Sequence, residues 1–186
     1  MEYVMSFPAD KAELMKLRAG DKLTVSGTIY TARDAAHKRL TELIASGKEL
    51  PLDIRGAAIY YAGPTPEKPG QVIGSCGPTT SGRMDAYAPG LLDCGLAVMI
   101  GKGDRSAAVI DAIVRNGAVY LAAMGGAGAL MGSCVKAARI VCYDDLGCEA
   151  IRELKVDNMP LTVVIDSQGN DLYKSGPEAY LKSLED

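Results

Sequence analysis

Residues Leu96–Ala122, LAVMIGKGDRSAAVIDAIVRNGAVYLA, decide the fold class. Leu96 to Ile100 is a continuous apolar run of strand length, Gly101-Lys102-Gly103 is a turn, and Ala118 to Ala122 is a second strand. Between them, Asp104 to Asn116 puts Ala108, Val109, Ala112 and Ile113 on one helical face. Strand, turn, helix and strand in that order are the repeating unit of an α/β domain. In such domains ligand residues gather in the loops beyond the carboxyl ends of the strands, which is where Lys102 stands.

The flanking sequence continues the alternation. Lys22 to Thr31 (KLTVSGTIYT) reads as a strand interrupted at Gly27. Ala32 to Ser46 follows as a helix with Ala36, Leu40, Leu43 and Ile44 at helical spacing and Gly47 as its stop. Ala57 to Tyr61 is a short buried-type strand before a Pro- and Gly-rich loop. Gln71 to Ser75 leads into GPTTSGRMD, Gly77 to Asp85, a loop turning into a helix start. Gly125 to Gly132 (GGAGALMG) is a close-packing helix, Ala138 to Tyr143 and Leu161 to Ile165 are strands, and a last short helix begins at Pro177.

With 186 residues, 48% of them hydrophobic, the chain has the size of a single domain able to bury a full core. The cysteines, at 76, 94, 134, 142 and 148, form no CxxC pair, and His37 is the only histidine, so no metal site within the chain is expected. An odd number of cysteines without a signal peptide fits reduced thiols and a cytoplasmic location. No apolar run has the length of a bilayer-spanning helix, and no membrane partner is expected. A net charge of −3 gives no general case for nucleic-acid binding. Any anion site must be local.

GPTTSGR is the strongest candidate for one. Thr79, Thr80 and Ser81 supply three hydroxyls ahead of a helix start, and Arg83 adds a guanidinium suited to a carboxylate or phosphate. The competing reading is an ordinary N-cap with a surface arginine. Gly77 to Gly82 has the GxxxxG spacing of a P-loop, but Arg83-Met84 replaces its Lys-Ser/Thr, which disfavours a nucleotide. In the dinucleotide-like Gly126-Ala127-Gly128 the third glycine, Gly132, arrives one position late. Arg33, Asp34 and His37 open the first long helix, where Arg33 and His37 share a face that could meet an anion. The alternative for His37 is a hydrogen-bonded core histidine. Cys76, beside Gly77, is a possible reactive thiol with only His37 available as its base, while packing suits Cys94, Cys134 and Cys142 better.

GDKLTVSGTIYTARDAAHKR (20–39), YYAGP (60–64), GSCGPTTSGRMD (74–85), MIGKG (99–103) and YLAAMGGAGAL (120–130) occur here in one order. That series resembles the β subunit of iron–sulfur hydro-lyases of the tartrate dehydratase and class I fumarase type, equivalent to the carboxy-terminal domain of the single-chain enzymes. The resemblance covers nearly the whole chain. It implies a three-layer β/β/α swivelling domain and a partner α subunit that holds a [4Fe-4S] cluster through three cysteines and supplies an aspartate base. It also implies an α2β2 assembly. Carried over by motif, Arg33, Thr79, Thr80, Arg83 and Lys102 bind the dicarboxylate substrate. Thr79 is a catalytic candidate for proton transfer or orientation, and Asp34, His37 and Gly77 support the site. Gly128 departs from the family pattern, which has alanine there, and bears on packing rather than chemistry.

The resulting expectation is half of a hydro-lyase that converts fumarate to malate, or tartrate to oxaloacetate, and is inactive alone. A non-catalytic anion-binding module on the same fold is the competing expectation, and a stand-alone cysteine enzyme built on Cys76 is a third.

Overall fold

The computed structural model describes residues 1–185. The elements in chain order are β1 (Glu2–Phe7), α1 (Lys11–Leu14), β2 (Lys22–Thr31), α2 (Asp34–Ala45), β3 (Ala58–Tyr60), α3 (Ala88–Asp93), β4 (Val98–Gly101), α4 (Ala107–Asn116), β5 (Val119–Ala122), α5 (Gly128–Ser133), β6 (Val135–Cys142), β7 (Ile151–Ile165) and α6 (Leu172–Lys182). The unit that decided the fold class is present as β4, α4 and β5. Its helix starts later than the sequence suggested because the Arg105 side chain and the Ser106 amide are both committed to Asp85. Ser106 then takes the extended N-cap conformation, and Gly117 ends the helix in the left-handed region at φ 63°.

All strands belong to one sheet in the order β1-β2-β3-β4-β5-β7-β6, and a further β2–β7 pairing closes it. β1 to β5 run parallel to their neighbours, whereas β7 is antiparallel to β2, β5 and β6. Alternation along the short parallel strands feeds two cores. Ala58, Tyr60, Val98, Ile100, Val119 and Leu121 point into the first, which also receives Leu23, Val25, Leu154 and Val163. Ile59, Met99 and Tyr120 point the other way, where Leu40 of α2, Leu91 of α3 and Ile113 of α4 cover them.

Three further elements differ from their sequence reading. β7 begins at Ile151, ten residues before the Leu161 start that the apolar run suggested. Its first half alternates buried Ile151, Leu154 and Val156 with charged residues, a pattern weaker than the VVI run that follows. Pro160 is accommodated because β7 has only β2 beside it between Val156, the last partner of β6, and Thr162, the first partner of β5. α6 already starts at Leu172, capped by the Asp171 carboxylate accepting from the Tyr173 amide at 3.0 Å, and carries Pro177 inside it. The loop after Gly77 opens not an α-helix but a single 3-10 turn at Ser81–Met84, too short for a substantial helix dipole.

Candidate functional site

The parallel strands β2, β3, β4 and β5 end at one edge of the sheet, and the loops that leave them carry the motif residues. Thr31 leads to Arg33, Tyr60 to Gly63, Gly101 to Lys102 and Ala122 to Gly125. This is the position at which open α/β sheets collect ligands.

Arg33 is the N-cap residue of α2, and its extended backbone turns the side chain back over the β3 loop. Gly63 lies under it: a Cβ there would come within 2.8 Å of Arg33 Nη1. The side chain is 19% exposed. Its nearest carboxylates are at ion-pair rather than hydrogen-bond range, with Nη2 3.7 Å from Asp34 Oδ2 and 3.5 Å from Glu149 Oε1. Arg33 Nε and Asp34 Oδ2 are both buried without a hydrogen-bond partner among the described residues. Such unsatisfied groups are uncommon in folded proteins and mark where a ligand, water or ion belongs. The other oxygen, Asp34 Oδ1, accepts from Arg83 Nε at 2.8 Å. One carboxylate therefore sets two arginines side by side. Arg83 remains half-exposed, with its two terminal nitrogens free of protein partners among the described residues.

The hydroxyl triplet divides into two functions. Thr79 and Thr80 are positioned by main chain: Thr79 N donates to Tyr61 O at 2.7 Å, and Thr80 forms a parallel bridge to Lys102. The Thr80 side chain makes no cap hydrogen bond, so the ordinary N-cap reading fails for it. Ser81 is instead buried and structural. Its Oγ accepts from Lys102 N at 3.0 Å and lies 2.8 Å from Tyr120 Oη, which is in turn 2.9 Å from Gly103 O. A carbonyl only accepts, so the Tyr120 proton goes to Gly103 and the Ser81 proton to Tyr120. Ser81 N completes the clasp by donating to Lys102 O at 2.8 Å. The arrangement requires Gly101, because a Cβ at that position would collide with the Ser81 hydroxyl. Lys102 thus lies beside Thr80, with its aliphatic stem near Gly125 and no carboxylate paired to it among the described residues.

His37 does not meet solvent with Arg33. It is fully buried, its Nδ1 lies 2.9 Å from the Arg33 carbonyl, and its ring meets the edge of Tyr61 at 5.2 Å. Since the carbonyl accepts, Nδ1 carries the proton and Nε2 is bare. Burial pushes the imidazole down to about 4, against the opposing pull of the Arg33 carbonyl, so His37 is neutral near pH 7. Its place is structural support for the N-terminus of α2. Gly77 lies against Gly128, whose carbonyl accepts from Cys76 N at 2.9 Å. An alanine at 128 would press on the Ser75 hydroxyl, so the glycine there bears directly on the loop that precedes Thr79.

Sequence reasoning missed the layer beneath the site. Arg105, Asp85, Tyr61, Tyr120 and Glu149 hold or flank the motif residues; Tyr61, Asp85 and Tyr120 lie inside quoted motifs, but none of the five was assigned to the site. The Arg105–Asp85 pair is twenty residues apart in sequence and leaves no periodic signal.

The residues present do not fit an iron–sulfur cluster. Cys76 is sealed in the core, where burial pushes its thiol up to about 12 against the pull of Arg152. That also removes the thiolate a cysteine nucleophile needs. Cys134 is buried, Cys94 and Cys142 are half-buried, and Cys148 is exposed. Among the described residues no three Cys, His, Asp or Glu side chains come together as a metal-ligand set. No helix there is long and apolar enough to cross a membrane.

Comparison with known proteins gives this geometry its context. The chain is 39% identical over 180 residues to a Methanocaldococcus jannaschii protein provisionally named L(+)-tartrate dehydratase subunit beta, covering 94% of this chain and 92% of that protein. It is 41% identical over 165 residues to the anaerobic class I fumarate hydratase of Escherichia coli, and 36% identical over 170 residues to fumarate hydratase 2 of Leishmania major. These matches take in 88% and 89% of this chain but only 30% of each fumarate hydratase. The profile of the family described as Fumarase C-terminus matches residues 4–176. A match of that extent, together with the near end-to-end likeness to the archaeal protein, establishes that the chain belongs to the Fumarase C-terminus family.

Proposed function

We propose that this chain is the β subunit of a two-subunit [4Fe-4S] hydro-lyase and contributes the carboxylate clamp for a C4 dicarboxylate, interconverting fumarate and malate. The single observation that carries the reading is the Arg33–Asp34–Arg83 arrangement: two guanidiniums share one carboxylate and keep unused donors. A C4 dicarboxylate has two negative ends, and Arg33, Arg83 and Lys102 offer three cationic anchors along one sheet edge. Thr80 pairs with Lys102 in a parallel bridge, and Thr79 precedes it in the segment that leads to Arg83. We assign Thr80 to orienting a substrate carboxylate, and Thr79 to orienting substrate or passing a proton at its hydroxyl oxygen.

Reversible dehydration needs a Lewis acid at the substrate hydroxyl and a base for the carbon-bound proton. The thiols of this chain do not fit the cluster, so we assign the cluster and the base to a partner α subunit. The likeness to a beta subunit that the chain covers almost completely supports that division. Activity only with the α subunit, an α2β2 assembly and a cytoplasmic location follow as parts of the same reading. We also read the chain as one three-layer β/β/α domain. That layering is supported by the two cores, one enclosed by the closed sheet and one between the parallel strands and the helices.

The archaeal relative favours tartrate, converted to oxaloacetate, as the alternative substrate. The test is steady-state kinetics of the co-expressed α and β subunits on fumarate, malate and both tartrate enantiomers, with Arg83→Ala and Arg33→Met variants. Loss of a charged hydrogen bond raises KM for the true substrate by about 10- to 100-fold. Unchanged kcat/KM in both variants would instead identify a non-catalytic anion-binding module.

A further inference from the structure

Below the motif residues lies a buried charge that substrate binding does not use. The Arg105 side chain is completely shielded from solvent, and its Nε donates to Asp85 Oδ1 at 2.7 Å. Its guanidinium carbon is 5.3 Å from the centre of the Tyr61 ring and 5.0 Å from that of Tyr120. Both separations suit cation–π attraction, which strengthens when water is excluded. The other Asp85 oxygen accepts from Ser106 N, tying the start of α4 into the same knot.

Arg105, Asp85 and Tyr61 belong to loops that bear the candidate site, and Tyr120 lies in β5. Arg105 follows Lys102 in the β4–α4 loop, and Asp85 follows Arg83 at the end of the 3-10 turn. Tyr61 accepts the Thr79 amide through its carbonyl, and Tyr120 completes the Lys102–Ser81–Tyr120–Gly103 hydrogen-bond chain. Arg105 Nη2, Tyr61 Oη and His37 Nε2 are all buried without a protein partner among the described residues, and His37 in turn contacts the Arg33 carbonyl.

A buried ion pair is a poor general source of stability, since desolvation offsets much of the attraction. Its distinctive contribution is geometric: a planar fork accepts a carboxylate in few orientations and presents flat faces to two rings. We propose that Arg105 is a positioning residue, stapling the Thr79–Arg83 segment to the Lys102 loop so that the substrate-facing groups of both keep one spacing. This deepens the proposed function and rests on the reading of those groups as a carboxylate clamp.

The experiment uses the co-expressed α and β subunits with Arg105→Lys and Tyr120→Phe in the β chain, assayed on fumarate and on tartrate. Arg105→Lys keeps the charge but loses the fork; Tyr120→Phe keeps the ring but breaks the hydrogen-bond chain. A displacement of the clamp raises KM for the active substrate by about tenfold or more in each variant, with kcat changed far less. In parallel, amide hydrogen exchange on the purified β chain follows Ser81 and Lys102, whose protection falls about tenfold in Arg105→Lys and in Tyr120→Phe, while amides of β7 keep theirs. Unchanged KM with a lowered melting temperature, or exchange that rises uniformly through the chain, would make Arg105 an ordinary core residue and overturn the proposal. If the wild-type pair turns over neither fumarate nor tartrate, the hydro-lyase reading fails, and the exchange experiment still decides whether Arg105 staples the two loops.

Discussion

Arg33 and His37 stand one helical turn apart at the start of α2, and their environments assign them opposite tasks. Arg33 keeps a guanidinium with a buried, unpartnered Nε at the edge of the site, which is tolerable only if a ligand or ordered water completes it. His37 turns into the core and uses Nδ1 to hold the Arg33 carbonyl. Its protonation therefore acts on stability. Burial lowers its pKa from 6.5 to about 4, so below pH 6.5 the unfolded chain binds a proton that the folded protein refuses until about pH 4. The stability contribution is complete above pH 6.5 and is lost as pH falls toward 4, with a total of about 3 kcal/mol. Urea unfolding of the wild type from pH 7 to pH 4 should show this loss, and His37→Gln should lack that part of the slope. Equal slopes in the two proteins would mean that His37 is not the buried neutral group described. Which side of α2 this histidine faced was not legible in the sequence, because a spacing of four aligns Arg33 with His37 but leaves the direction of that face to the packing of Tyr61.

At the scale of elements, β7 unites the sheet, pairing with β2 along one side and with β6 and then β5 along the other. Leu154, fully buried in the core enclosed by the sheet, sits where β7 lies between β2 and β6. Leu154→Ala should cost about 2–5 kcal/mol by leaving a cavity in a wall that little can collapse into, measurable by urea unfolding. A cost within 1 kcal/mol would mean that β7 is not the spine. The β4–α4–β5 unit and β2 were legible because an apolar run or a helical period marked each of them. The first half of β7 was not, because its charged outer face dilutes the alternation and Pro160 reads as a breaker. In the sequence the 3-10 turn at Ser81–Met84 reads as a helix start because the Thr-Thr-Ser triplet imitates an N-cap, whereas Ser81 is bound to Lys102 and Tyr120.

Across the whole molecule, the functional groups gather on an open edge rather than in an enclosed cavity. The motif residues were legible as a resemblance, and their meeting at one edge follows from the parallel order of β2 to β5. That Asp34 supports the site was an expectation of the resemblance, but its sharing between two arginines and the contacts of Arg105 were not legible, since both depend on distant segments. Thr80 and Arg83 are exposed in the isolated chain. Water there weakens every charged contact the clamp makes, and a second surface closing over it would strengthen them. On the proposed function this chain is half of an active site, and fumarate hydration and tartrate dehydration are to be measured with the purified chain alone and with the same chain reconstituted with a cluster-bearing α subunit under anaerobic conditions. No turnover by the chain alone and full activity in the pair are expected; equal turnover by the chain alone would refute the split site.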